Sequence, residues 1–150
     1  MLFLGEGDLK PEIEQACVRL GIQDRVIFEG KTARVVEFLC CVIDVFVMPS
    51  LHEGLPVALL EAQAAGLPCL VSDSVSSESL VMKGSVDFIP LSAGVDGWAE
   101  ATLALFGRPR SPEVLEAMRR SDFNMVNSAQ SLADLYASAR FATSGDAMTC

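Results

Sequence analysis

An alternation constrains this chain more than any other feature. Short runs rich in β-branched and aromatic residues, Leu2 to Leu4, Val26 to Phe28, Val45 to Met48, Cys69 to Val71 and Val86 to Ile89, are separated by stretches of helical periodicity. The runs are apolar on both faces. The helical stretches Asp8 to Leu20, Thr32 to Val42 and Leu55 to Ala65 join them through only a few residues. Strands buried on both faces and connected through helices pair in parallel, so the expected fold class is α/β, a Rossmann-like three-layer α/β/α domain with a parallel sheet. Asp8 and Thr32 are candidate N-caps, and Gly21 and Gly66 candidate helix stops. Beyond Leu91 only helical patterns follow: Asp96 to Phe106, a break at Gly107-Arg108-Pro109-Arg110, a segment opened by Ser111 and Pro112 and running to Arg120, and another from about Asn124 to Arg140. The closing FATSGDAMTC, residues 141–150, has no periodicity and reads as a disordered tail.

A chain of 150 residues that is 51% hydrophobic has the apolar mass for one ordinary core, so one domain is expected. Its formal charge of −9, with Lys and Arg scattered, argues against nucleic acid or an anionic membrane surface as the main partner. A small phosphorylated ligand stays open, because local backbone amides can hold it whatever the net charge. Five cysteines (17, 40, 41, 69 and 150) lack paired C-x-x-C spacing, and His52 is the single histidine. That pattern reads as buried, reduced thiols in a cytoplasmic protein, with no zinc site. The start MLFLGEGDLK has neither the basic region nor the apolar length of a signal peptide, and no stretch approaches the roughly 18 apolar residues of a membrane span. A soluble chain is expected.

The chemistry concentrates in PSLHEGLPVALLEAQAAG, Pro49 to Gly66, where an apolar helical pattern carries two carboxylates, Glu53 and Glu61. If Gly54-Leu55-Pro56 forms the first turn after the Val45 to Met48 strand, the helix N-terminus lies at the edge of the sheet where ligands bind. It then presents unpaired N–H groups and a positive dipole end, an anion site. Gly54 allows close approach of a ligand, Pro56 suits a first turn, and the amides of Leu55 and Val57 remain free to donate. Helix starts with Gly and Pro are also common for structural reasons alone. Eight helical residues rise about 12 Å and turn by about 80°, so Glu53 and Glu61 could meet different parts of one elongated ligand. A glycosidase pair would instead stand about 5 to 9.5 Å apart across one bond. For Glu61 the two readings are acceptance from the vicinal hydroxyls of a ribose, or pairing with a buried Lys or Arg or capping of a neighbouring loop.

The stretch PSLHEGLPVALLEAQAAGLPCLVSD resembles the donor-binding motif of the family-4, or group 1, glycosyltransferases: Glu, seven residues, Glu, with Gly-Leu-Pro after the first and Glu-Ala-x-Ala-x-Gly-x-Pro around the second. LFLGEGDLKPEIEQACVRLGIQDRVIFEGKT and VIDVFVMPS resemble the segments that precede the motif in that family, and the likeness runs from Leu2 to about Tyr136. The later VDFIPLS, WAEATLAL and LADLY resemble the bacterial exopolysaccharide and capsule branch. The resemblance implies the nucleotide-sugar-binding C-terminal domain, residues 2–136, of a GT-B enzyme that retains anomeric configuration and needs neither metal nor cofactor. It implies that Glu53 is catalytic in contacting the donor sugar. Gly54, Leu55, Pro56 and Val57 would bind sugar and diphosphate through the backbone, Glu61 the ribose, and Gly30, Lys31 and Thr32 the nucleobase.

The family's diphosphate-binding Arg and Lys precede the first strand, and its acceptor site lies in an N-terminal domain, so these 150 residues alone are expected to transfer no sugar. The resemblance is compatible with peripheral membrane association of the full protein. A non-catalytic nucleotide-sugar-binding module and a GT-B epimerase share the same donor contacts. A receiver-like signalling domain fits poorly, since Asp44 opens a strand instead of closing one. Gly5-Glu6-Gly7 reads as a tight strand-to-helix turn, because the third glycine of G-x-G-x-x-G would fall at Lys10. His52 reads as a half-exposed loop residue or a ligand contact, and Glu78 as a loop acid or a second carboxylate near the same crevice. Trp98, Leu103 and Phe106 read as core packing.

Overall fold

The computed structural model describes residues 1–142 and divides at Val42 into two compact units. The fold is α/β with parallel sheets, as the alternation requires, but each unit has its own sheet where one core was expected.

In the first unit, β1 (Leu2–Leu4) pairs in parallel with β2 (Ile27–Gly30) through α1 (Lys10–Arg19), and α2 (Val35–Cys41) follows. Phe3 lies opposite Phe28 in the register and the two rings stack at 5.1 Å, a cross-strand aromatic pair. Cys17 and Leu39 are the buried residues of the two helices. Gly5 opens the turn into α1 at φ +122° and donates its N–H to the Gly30 carbonyl at 2.9 Å, the tight turn read from the sequence. Neither predicted cap forms. Leu9 precedes α1, and the Thr32 hydroxyl accepts from Arg34 N–H at 3.1 Å, turning the chain two residues short of the cap position of α2.

In the second unit, β3 (Phe46–Met48), β4 (Cys69–Ser72) and β5 (Val86–Ile89) form a parallel sheet in sequence order, with α3 (Val57–Ala64) crossing from β3 to β4. Every residue of the central strand β4 is buried. The helices α4 (Gly94–Leu105), α5 (Pro112–Arg120) and α6 (Met125–Ala142) complete the unit. The last of these extends into the predicted tail, whose residues 143–150 lie outside the described residues. The inward face of α4 is not the predicted one: Leu103 and Phe106 are 71% and 67% exposed, whereas Leu105 is 2% exposed. Trp98, Thr102 and Leu105 follow at four and three residues along the helix, a stripe that leaves Leu103 outside. Of the four described thiols, Cys17 and Cys69 are buried but Cys40 and Cys41, at the end of α2, are exposed.

Candidate functional site

The helix α3 begins later than the sequence implies. Pro56, at φ −76° and ψ 96°, takes the N-cap position, so Leu55 lies outside the helix and its N–H is not a helix-terminal donor. Within the first turn, Leu59 N–H closes onto the Pro56 carbonyl at 3.0 Å and Leu60 N–H onto the same oxygen at 3.2 Å. The amides of Val57 and Ala58 are left, with no acceptor among the described residues. Val57 and Ala58 are both exposed, as is Leu55. A Cβ on Gly54 would meet nothing within 4 Å, and its φ is not in the left-handed region. Neither backbone strain nor crowding therefore demands glycine there; what glycine provides is open space beside the helix start.

Glu53 and Glu61 differ in how they are held. Glu53 sits in the β3–α3 loop, not on the helix, so helical spacing does not relate the two acids. It is half-buried and accepts from the Ser50 hydroxyl at 2.8 Å. Ser50 in turn receives, on its carbonyl, a hydrogen bond from the hydroxyl of Ser72, the fully buried last residue of β4. Glu61 is half-buried in α3, and among the described residues its carboxylate has no hydrogen bond or ion pair. Spacings of four and three residues put Glu61 on the face of Val57 and Ala58, and helical side chains lean toward the N-terminus. Its acid therefore leans back toward the turn with the free amides.

The predicted nucleobase contacts lie in the first unit. Gly30 closes β2 at φ +74°, Lys31 Nζ is 3.7 Å from the exposed Glu6 carboxylate, and Thr32 holds Arg34 as described. Such an exposed ion pair contributes at most about 1 kcal/mol and leaves the lysine available. His52 and Glu78 are exposed; the Glu78 backbone N–H is occupied by the Ser76 hydroxyl at 3.2 Å.

Sequence reasoning misses Gln63. Its side chain is fully buried and all four of its hydrogen-bonding positions are filled. Nε2 donates to the carbonyls of Ser79 at 2.8 Å and Leu59 at 3.4 Å, while Oε1 accepts from Val81 N–H at 3.0 Å and the Ser85 hydroxyl at 2.9 Å. The amide thereby ties the β4–β5 loop to α3. The signal was present: 59, 62, 63 and 66 fall at i, i+3, i+4 and i+7, which places Gln63 on the buried stripe.

Cys69 also lies under α3. Burial, with the Asp87 charge adding to it, pushes its thiol up to about 12, and the thiol donates to the Leu67 carbonyl at 3.3 Å. It is neutral and sequestered, unlike a reactive thiolate.

A parallel sheet whose strands are joined through helices, as β3 is joined to β4 through α3, is the arrangement of a Rossmann-like α/β domain. The sequence profile described as Glycosyl transferases group 1 matches residues 1–108, more than half of the chain, and the chain belongs to that family. It is similar to EpsF of Bacillus subtilis (strain 168), named as a glycosyltransferase, with 38% identity over 91% of this chain and 36% of that protein. It is 36% identical, over 90% of this chain and 36% of the relative, to the UDP-Gal:alpha-D-GlcNAc-diphosphoundecaprenol alpha-1,3-galactosyltransferase of Escherichia coli. The Vi polysaccharide biosynthesis protein VipC/TviE of Salmonella typhi is 34% identical over 59% of this chain and 15% of its own length. The chain thus spans about a third of the length of the first two. No helix among the described residues is long and apolar enough to cross a membrane.

Proposed function

We propose that residues 2–136 are the donor-binding domain of a GT-B glycosyltransferase. With an N-terminal acceptor domain, it transfers a sugar from a nucleoside diphosphate to a glycan or lipid-linked acceptor in polysaccharide biosynthesis, with retention and without a metal. The observation that supports this reading is the start of α3: two free amides at Val57 and Ala58, open space at Gly54, and an unpaired acid at Glu61 leaning toward them. The printed names of the relatives, a galactosyltransferase using UDP-Gal and a polysaccharide biosynthesis protein, point the same way.

In this reading the amides and dipole of α3 receive the diphosphate and stabilise the charge that develops as it leaves. An anionic ligand excludes carboxylates from its phosphates but not from its hydroxyls. Glu53 therefore accepts from the sugar and Glu61 from the ribose, and both fix the donor in one orientation. The nucleobase role of Gly30, Lys31 and Thr32 rests on the family likeness alone. The 150 residues by themselves bind donor and transfer no sugar.

Calorimetric titration of the chain with UDP, GDP and ADP, repeated with Glu61→Gln, tests the assignment. At least one diphosphate should bind, and the variant should lose about 1 to 3 kcal/mol of that affinity. Equal binding by both proteins removes Glu61 from the site, and turnover of a nucleotide sugar by the chain alone removes the need for an acceptor domain.

A further inference from the structure

Residues 49–55, which carry Glu53, make no backbone–backbone hydrogen bond among the described residues. Among the described residues the loop has two polar ties. The buried Ser72 hydroxyl, at the end of the central strand, holds the Ser50 carbonyl, and the Ser50 hydroxyl donates to Glu53 Oε1 at 2.8 Å. A serine hydroxyl has one proton to give, and here it is given to one carboxylate oxygen. Oε2 and the second lone pair of Oε1 are left for a ligand. The carboxylate is thereby referenced to the sheet through Ser50 and Ser72, although it sits on a loop that is otherwise untied. A hydrogen bond from a neutral hydroxyl to an ionised carboxylate is also among the stronger kinds, so it can hold a rotamer against the freedom of three side-chain torsions.

We propose that Ser50 is the positioning residue for Glu53, setting the carboxylate to receive the transferred sugar's hydroxyls, with Ser72 fixing Ser50. The proposal rests on the donor-binding reading above, with Glu53 on the sugar and the α3 amides on the diphosphate. It therefore makes a split prediction. Loss of the Ser50 hydroxyl weakens the grip on the sugar and leaves the grip on the nucleoside diphosphate, because the amides of Val57 and Ala58 do not depend on it.

The test is calorimetry of wild type, Ser50→Ala, Ser50→Thr, Glu53→Gln and the Ser50→Ala/Glu53→Gln double variant. Each is titrated with UDP-, GDP- and ADP-linked hexoses and with the three bare diphosphates. Ser50→Ala keeps the backbone carbonyl that Ser72 holds, so the anchor survives the substitution. The expected result is a loss of about threefold to tenfold for the sugar nucleotide in Ser50→Ala, about one hydrogen bond's worth. Affinity for the bare diphosphate should be unchanged and affinity for the sugar nucleotide restored by Ser50→Thr. The double variant should bind no worse than Glu53→Gln. Equal losses for both ligand types, or additive losses in the double variant, overturn the positioning role while leaving the donor-binding reading standing. Absence of any binding by the wild type overturns the reading itself, and the proposal with it.

Discussion

The two ends of α3 carry a glycine each and are built in opposite ways. At the C-terminal end Gly66 stands at φ +71°, its N–H donates to Gln63 O at 2.9 Å, and Leu67 N–H reaches Ala62 O at 3.1 Å, the paired bonds of a Schellman stop. The following chain closes over it: Ser111 N–H donates to the Gly66 carbonyl at 3.0 Å, and the Arg110 guanidinium reaches Ala65 O at 2.9 Å and Ile43 O at 2.8 Å. At the N-terminal end the amides of Val57 and Ala58 are free, both residues are exposed although Pro56 before them is buried, and a Cβ on Gly54 would meet nothing within 4 Å. One end has its stop bonds made and the carbonyls of Ala65 and Gly66 taken up by the following chain, and the other leaves donors unused. Exposed helix-start amides are met by water, so they can turn to a ligand without breaking a protein hydrogen bond.

The contrast predicts which substitutions act on stability. Gln63→Leu, on the closed half, strips partners from the Ser79 carbonyl and Val81 N–H, while the Ser85 hydroxyl keeps the Met82 carbonyl; a loss of about 3 kcal/mol in urea denaturation is expected, and under about 1 kcal/mol would mean that water replaces the amide. Gly66→Ala imposes a side chain on a left-handed residue and brings its Cβ to 3.0 Å from the Ser111 carbonyl. About 2 kcal/mol of destabilisation is expected, with Ser111 forced to move.

Cys69 gives the closed half a pH signature. Its folded thiol stays protonated up to about 12, whereas an unfolded one ionises near the ordinary thiol value of 9.0, so above that value the native state holds more protons. Stability should therefore be level below pH 9 and fall by about 1 kcal/mol per pH unit from there toward pH 12. Cys69→Ala should flatten that limb in denaturation curves taken from pH 8 to 11. The smallest effect belongs to the open end: Gly54→Ala should change stability by less than about 0.5 kcal/mol, because its Cβ meets nothing, while weakening diphosphate affinity in calorimetry. A stability loss like that of Gly66→Ala would erase the distinction between the ends.

The same contrast explains what the sequence makes legible. The strands and α-helices are recoverable from periodicity, because Cys69 to Val71 of β4 are apolar and Gly21 and Gly66 stop helices by a backbone conformation that the residue type itself discloses. Helix starts are not. Pro56 at φ −76° is equally compatible with the first helical position and with the N-cap, and only ψ 96° separates them. Asp8 and Thr32 have the chemistry of caps, but Thr32 spends its hydroxyl on Arg34 instead. At the candidate site the acids and the open glycine are visible as residue types. The Ser72 to Ser50 to Glu53 chain spans 22 positions at its first step, a tertiary pairing that periodicity does not encode.

The most direct test of the open end is amide NMR of the chain titrated with UDP, GDP and ADP. The account predicts saturable shifts of the Val57 and Ala58 N–H resonances with at least one diphosphate, while the Gly66 and Leu67 amides stay in place. Saturable binding that leaves Val57 and Ala58 unmoved would contradict it.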